Sequence, residues 1–79
     1  MSNLEKYIEA FVNSLEISKD QVNEKLSYQG VENWDSVGHM SLIGELEDTF
    51  DIMFDTDDII DFNSYSKGIE ILKKYDVEI

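Results

Sequence analysis

The chain contains no cysteine, no proline and no arginine among its 79 residues. Without cysteine it can form neither a disulfide nor a cysteine-rich zinc site, and it offers no thiolate for catalysis. Without arginine it lacks the planar, two-pronged cation that clamps phosphates and reads bases. Its 18 acidic residues outnumber its six basic residues and give a formal net charge of -12. Because such a chain repels a phosphate backbone, the composition argues against nucleic-acid binding.

The length allows one domain with a modest core, and we expect residues 1–79 to form it. A deep, enclosed active site is not expected in so small a domain. The first residues lack the basic and apolar regions of a signal peptide, and no apolar stretch approaches membrane-spanning length. We therefore expect a soluble, cytoplasmic monomer. The aromatic content of 11% and the helical spacing of the apolar residues indicate a folded domain despite the acidity.

Two helices joined by a long connection are predicted in the first two thirds of the chain. Ser2 or Asn3 is placed to cap the first helix, whose apolar residues recur at helical spacing. This apolar stripe consists of Leu4, Ile8, Phe11, Val12 and Leu15. Residues 16–35 form the connection, which needs apolar anchors to stay in place. The second helix is predicted over 36–50, because Ser36 is a good N-cap and apolar residues follow at helical spacing.

Two further helices are predicted in the last third of the chain. A short third helix is expected over 57–61, with Asp55 or Thr56 as its cap, and a fourth helix begins after Ser64. The residues expected to face inward are Ile59 and Ile60 in the third helix and Ile69, Leu72 and Tyr75 in the fourth. The predicted fold class is all-α. We expect a small, irregular four-helix antiparallel bundle with a long loop between the first two helices and a short third helix.

The second predicted helix has an apolar side and an acidic side on a helical wheel. The acidic side carries Val37, Ser41, Gly44, Glu45, Asp48 and Asp51. Carboxylates near the end of a helix oppose its dipole, and Glu47 with Asp51 is a like-charge pair one turn apart. No lysine lies between Lys25 and Lys67, whereas ten carboxylates do. Because these carboxylates are unfavourable for the helix itself, they indicate a binding surface. The alternative interpretation is a solvated acidic face that keeps the protein soluble.

The residues around the start of this helix resemble the attachment motif of acyl and peptidyl carrier proteins. Positions 34–43 read WDSVGHMSLI, and the acidic run 45–48 and Phe50 follow. In that family the tripeptide Asp-Ser-Leu opens the second helix, and Val37 stands here where the family usually has leucine or methionine. The tripeptide alone is common by chance, but the periodicity, the acidic helix end, the chain length and the charge agree with it. The resemblance covers nearly the whole chain.

The resemblance implies that Ser36 carries a 4'-phosphopantetheine arm taken from coenzyme A by a phosphopantetheinyl transferase. It implies a stand-alone carrier, and not an enzyme, that holds acyl groups as thioesters on the arm and presents them to other enzymes. Its further partners would be acyl- or aminoacyl-loading ligases and acyl-transferring enzymes whose basic patches dock on the second helix. The candidate docking residues are Asp35, Val37, Ser41, Gly44, Glu45, Glu47 and Asp48. Ser41 and Gly44 stand where the family often has an acidic residue and a larger apolar one, which predicts a specialised partner set.

The position of Ser36 suits such an attachment. A modified serine must be accessible to a transferase, as a residue between a loop and a helix is. A phosphodiester there would meet free backbone N–H groups and the positive end of the helix dipole. Docking by complementary charge mainly speeds encounter, so we expect modest, salt-sensitive affinity for partners.

Other interpretations of these residues remain open. Ser36 could act only as a helix cap, and Ser36 with His39 could suggest a nucleophile and base, although the wheel turns His39 toward the apolar side. We expect His39 to be half-buried near the third helix and Trp34 to anchor the long loop. The aspartates over 51–61 do not match a calcium loop of the EF-hand type, so no metal site is predicted. The alternative functions are an aminoacyl or peptidyl carrier with the same arm and an unmodified acidic interaction or calcium-binding module.

Overall fold

A computed structural model describes residues 2–79 of the chain, and the regular structure in this range is helical. The α-helices are α1 (Asn3–Leu15), α2 (Ser36–Phe50), α3 (Thr56–Asp61) and α4 (Tyr65–Lys73), and a short 3-10 helix spans Lys19–Gln21. Residues 2–79 form no β-strand; a single backbone bridge joins Ser27 to Ser64. The predicted all-α class is confirmed.

Helix α1 begins with a reciprocal cap and buries one face. The Ser2 hydroxyl accepts a hydrogen bond from the Glu5 N–H at 3.2 Å, and the Glu5 carboxylate accepts one from the Ser2 N–H at 3.4 Å. The buried residues are Tyr7, Ala10, Phe11 and Leu15. The expected stripe was wrong at its start, because Leu4 is 41% exposed. Tyr7, one turn later, is completely buried instead. Its hydroxyl donates to the Tyr65 carbonyl at 2.6 Å.

The connection between α1 and α2 is held by buried apolar side chains. Val22, Leu26 and Trp34 are each at most 6% exposed, and Trp34 is completely buried. Backbone hydrogen bonds run from Tyr28 N–H to the Asn63 carbonyl at 2.8 Å and from Tyr65 N–H to the Leu26 carbonyl at 2.9 Å. The loop is therefore fixed along the chain segment that leads into α4, and the predicted role of Trp34 as an anchor is confirmed.

Aromatic rings fill the centre of the core. The Phe11 ring meets the Tyr7 ring at 5.0 Å and the Trp34 ring at 5.4 Å between centroids, both edge to face, an arrangement that the quadrupoles of the rings favour. Gly68 lets α4 approach this cluster, since a Cβ there would overlap the Tyr7 hydroxyl and the Phe62 ring. Helix α4 buries Gly68, Ile71 and Leu72. The expected inward residues Ile69 and Tyr75 are only partly buried.

Helix α3 is held by a buried carboxylate, which the sequence did not indicate. Asp58 is 4% exposed, whereas Ile60, expected to face inward, is 71% exposed. The Lys74 ammonium and the Tyr75 hydroxyl each donate to the Asp58 carboxylate at 2.6 Å. The Tyr75 hydroxyl also accepts from the Asp55 N–H at 2.9 Å. The six-residue helix α3 thus gains its partners from the residues at the end of α4.

We predict that the Asp58 contacts stabilise the protein above pH 4 and are lost in acid. The hydrogen bonds from Lys74 and Tyr75 hold the pKa of Asp58 below its ordinary value of 3.8. A lowered carboxyl pKa contributes stability that is present above the ordinary pKa and disappears as the pH falls through the folded-state pKa. Asp58→Asn should therefore lower the free energy of unfolding in urea at pH 7, and its difference from the unaltered protein should shrink as the pH drops below 3.8.

Asp61→Asn is the matched control, because it removes the same charge from the exposed last residue of α3. It should leave the unfolding free energy nearly unchanged, since surface substitutions away from special contacts usually change it by about 0.5 kcal/mol or less. Equal effects of the two variants at pH 7 would contradict a specific role for Asp58.

Candidate functional site

The start of α2 leaves the Ser36 hydroxyl free of capping duty. Asp35, and not Ser36, is the N-cap: its Oδ1 accepts a hydrogen bond from the Gly38 N–H at 2.9 Å. Its carbonyl accepts the His39 N–H at 2.8 Å. The prediction that Ser36 caps the helix was wrong by one residue, because the carboxylate of Asp35 reaches the same N–H group from one position earlier. Ser36 is the first helical residue and is exposed.

Buried contacts fix the backbone on both sides of Ser36. The Trp34 indole N–H donates to His39 Nδ1 at 3.0 Å, and His39 Nε2 lies 2.8 Å from the Ile59 carbonyl oxygen. These partners assign the imidazole proton to Nε2, because Nδ1 must accept and the carbonyl can only accept. His39 is half-buried and adjacent to α3, as predicted, and both of its ring nitrogens are engaged. It is not available as a base for Ser36.

Gly38 allows the loop to lie directly against the first turn of α2. A Cβ at this position would overlap the Asn33 carbonyl oxygen and come within 3.1 Å of the Leu15 side chain. The Asn33 amide in turn donates to the Leu15 carbonyl at 2.8 Å and so satisfies the end of α1. The loop before Ser36 is thus fastened to α1 on one side and to α2 on the other.

Exposed apolar side chains surround this helix start. Val37 is 77% exposed, as expected for an anchor of docking, and Met40 one turn later is 57% exposed. Ile60 on α3 is also exposed, and the hydrogen bond between His39 and Ile59 brings its part of α3 beside the first turn of α2. Isolated exposed apolar residues are normal on a protein surface. Here, however, three of them lie around the place where α3 meets the first turn of α2.

The predicted docking residues differ in how exposed they are and in which helix they border. Asp35, Ser41, Gly44 and Asp48 are exposed along with Val37. Glu45 is partly buried and lines a groove between α2 and α1 that also includes Lys6, Glu9 and Asn13. On the same side, the Ser14 hydroxyl of α1 donates to the Ser41 carbonyl at 3.4 Å. The middle of the predicted face therefore borders α1.

Glu47 has a structural contact that the sequence did not reveal. Its carboxylate accepts a hydrogen bond from the Phe54 N–H at 2.9 Å, and its carbonyl accepts one from the Ile52 N–H at 3.0 Å. These bonds shape the turn between α2 and α3. The carboxylate near the end of α2 is thus explained by a backbone donor seven residues later, which helical spacing cannot indicate.

A small cleft opens next to Ser36. It has a volume of about 160 Å³ and is lined by Tyr28, His39, Ile59, Ile60, Phe62 and Asn63. The Tyr28 hydroxyl lies 3.4 Å from Ser36 Oγ. Tyr28 was not among the predicted site residues, because it lies in the loop, where no periodicity relates it to α2.

We found no match to this chain among protein-family models, curated proteins or solved structures. None of the helices formed by residues 2–79 has the length and apolar character needed to cross a membrane. In the same part of the chain, no three His, Asp or Glu side chains are grouped in a way that could hold a metal ion.

We predict opposite effects of the same substitution at the two glycines of α2. Gly38→Ala should lower the free energy of unfolding by about 1–3 kcal/mol, because the new methyl group overlaps loop backbone. Gly44→Ala should raise it by up to about 1 kcal/mol, since no atom lies within 4 Å of the new Cβ and alanine favours a helix over glycine. Urea denaturation of both variants measures this difference. A neutral Gly38→Ala variant would contradict the close contact between the loop and α2.

Proposed function

We propose that the protein is a stand-alone carrier whose Ser36 holds a 4'-phosphopantetheine arm, donated by coenzyme A, and presents acyl groups to partner enzymes. The observation that carries this proposal is the exposed Ser36 hydroxyl at the first position of α2, in a helix start that Asp35 already caps. An ordinary capping serine would use its oxygen within the helix. The hydroxyl of Ser36 is instead accessible, and hydrogen bonds hold Trp34, Asp35 and His39 around it.

The residues present fit a phosphodiester at this position. The first N–H groups of a helix have no partner within the helix, and Asp35 satisfies only that of Gly38. Those of Ser36 and Val37 therefore remain to face an anion at the positive end of the dipole. The Tyr28 hydroxyl, 3.4 Å from Ser36 Oγ, is a further donor within reach of a phosphate oxygen. When bound, the arm supplies a terminal thiol for thioester formation.

The protein itself acts as an anchor and not as a catalyst in this proposal. The only histidine of the chain is engaged through both ring nitrogens, and no cysteine is present. A nucleophile needs an adjacent base to become reactive, and Ser36 has none among the contacts described above. Activation of the hydroxyl is therefore assigned to the transferase.

Partner recognition is proposed to combine an apolar contact with charge. Val37 and Met40 supply exposed apolar area beside the attachment point, and Ile60 extends this area on α3. The stretch from Glu32 to Asp61 carries ten carboxylates and no lysine. Transferases, ligases and acyl-transferring enzymes with basic patches would be steered to this region by charge.

The proposal includes the arrangement expected from the sequence, an irregular antiparallel bundle that acts as a cytoplasmic monomer. An aminoacyl or peptidyl carrier would use the same arm, and only the loading enzyme would differ. The candidate from another class is an unmodified acidic interaction or calcium-binding module. The accessible Ser36 hydroxyl supports the carriers over this module.

Loading by a phosphopantetheinyl transferase is the direct test. Incubation with coenzyme A and a broad-specificity transferase should increase the intact mass by one phosphopantetheine group. Ser36→Ala should abolish the increase, whereas Ser66→Ala, which removes an exposed serine from the first turn of α4, should leave it unchanged. An unmodified protein, or a mass increase that survives Ser36→Ala, would falsify the carrier proposal and favour the unmodified module.

Charge steering predicts a salt-dependent loading rate. Reversal of Glu45 and Asp48 to lysine should slow loading by roughly tenfold or more at low ionic strength, and much less near 1 M salt, where screening is strong. Glu47 is left unchanged because its carboxylate binds the Phe54 N–H. The readout is kcat/KM of the transferase as a function of salt.

Reversal of Asp20 and Glu24, exposed in the loop after α1, is the control with the same net charge. A common effect of both double variants would mean that only net charge matters. Equal rates for all three proteins would mean that the carboxylates of α2 serve solubility.

A further inference from the structure

The loop before α2 brings a second hydroxyl group next to Ser36. Gln29 N–H donates to the Trp34 carbonyl at 3.0 Å and closes the segment between them. Tyr28, directly before this closed segment, therefore lies beside the residues that follow it. The Tyr28 hydroxyl is 3.4 Å from Ser36 Oγ, although the two residues are eight positions apart in the chain.

The turn that places Tyr28 has an unfavourable backbone conformation. Gln29 has a φ of 65°, in the left-handed region that a residue with a Cβ seldom occupies. Such a conformation persists only where the surrounding structure requires it, and it is found preferentially at functional sites. Here it turns the chain so that Tyr28 and Ser36 lie side by side.

Contacts of both its ring and its backbone hold Tyr28 in this position. The ring meets the Trp34 ring at 6.2 Å and the His39 ring at 5.8 Å between centroids, both edge to face, an arrangement that ring quadrupoles favour. The Tyr28 N–H donates to the Asn63 carbonyl at 2.8 Å. Tyr28 is half-buried, whereas Ser36 is exposed. A fixed phenol thus meets an accessible serine.

The chemistry of the two hydroxyls favours one direction for their hydrogen bond. Either oxygen could donate, but a phenol is a stronger donor than an aliphatic alcohol, and both can accept. With Tyr28 as the donor, the hydrogen of Ser36 is left for another partner. The attachment oxygen is then held in place while its proton stays accessible from solvent.

We propose that Tyr28 is a positioning residue for the modification of Ser36: its hydroxyl donates to Ser36 Oγ and holds the serine in one orientation for the transferase. This role rests on the proposed function, whereas the contact between the two hydroxyls does not. The distance of 3.4 Å is long for such a bond, as catalytic hydrogen bonds often are before the reaction partner binds.

The loading step keeps this contact. Ser36 Oγ forms a bond to a phosphorus of coenzyme A, the bond from that phosphorus to the adenosine bisphosphate leaving group breaks, and the serine proton passes to a base of the transferase. The oxygen of the product carries no hydrogen and can only accept. Tyr28, as the donor, therefore keeps its bond without reorganisation, which is the benefit of a positioned group.

A thiol in place of the serine tests the contact without any transferase, because the chain contains no cysteine. A hydrogen bond to the thiolate of a Ser36→Cys variant favours its charged form, and the thiolate is the species that iodoacetamide alkylates. Adding Tyr28→Phe, which keeps the ring, should raise the pH midpoint of alkylation by about 0.5–1 unit. The same pair built on Ser66→Cys, at an exposed position of α4, should show equal midpoints.

Loading of the native serine tests the proposed role. Tyr28→Phe should lower the kcat of the transferase by about two- to tenfold, as expected for the loss of one hydrogen bond. It should leave KM nearly unchanged, because the hydroxyl contacts Ser36 and serves the reacting geometry. Tyr65→Phe is the matched control: it removes the same atom from another half-buried ring, at the start of α4, and should change neither constant.

Equal alkylation midpoints with and without the Tyr28 hydroxyl, or an equal kcat, would overturn the positioning role. A raised KM with the same kcat would also overturn it, since Tyr28 would then contact the transferase and not orient Ser36. Failure of the carrier proposal is recognised separately, by a native Ser36 that gains no mass from coenzyme A while Tyr28→Phe still shifts the alkylation midpoint.

Discussion

The two hydrogen bonds of His39 connect the parts of the molecule on which the site depends. One joins the ring to Trp34 in the loop, and the other joins it to the Ile59 carbonyl on α3. Loop, α2 and α3 thereby meet at a single half-buried imidazole. Because each nitrogen has one partner of the required kind, the ring is held in one tautomer and orientation. The helix start that carries Ser36 lies next to this hydrogen-bonded pair, because Ser36 falls between Trp34 and His39 in the chain.

At this helix start, the residue that caps the helix differs from the residue that exposes its hydroxyl. Asp35 provides the cap, Ser36 provides the exposed hydroxyl, and Gly38 provides the space for the loop backbone. Since the cap and the hydroxyl belong to different residues, modification of Ser36 would not remove a helix-stabilising bond. The same separation leaves the Ser36 hydroxyl exposed between residues whose side chains are hydrogen-bonded.

The acidic residues fall into two groups once their contacts are known. Asp58 and Glu47 bind donors within the molecule and hold α3 and the turn before it. Asp48 and the exposed aspartates around it have no such partner role assigned and add to the negative potential of this surface. Charge counted along the sequence does not distinguish the groups, because the donors come from Phe54, Lys74 and Tyr75.

The sequence by itself determined the all-α class, the span of α2 and the exposure of Ser36 and Val37, since local periodicity and capping chemistry govern these features. Tertiary structure decided which residues of α3 face inward and how the loop meets Ser36. Burial of Asp58 and exposure of Ile60 depend on partners far along the chain, and a six-residue helix has too few turns for a periodic signal. The cleft beside Ser36 likewise exists only because Tyr28, His39 and Ile59 converge from separate elements, a juxtaposition that no spacing within one element encodes.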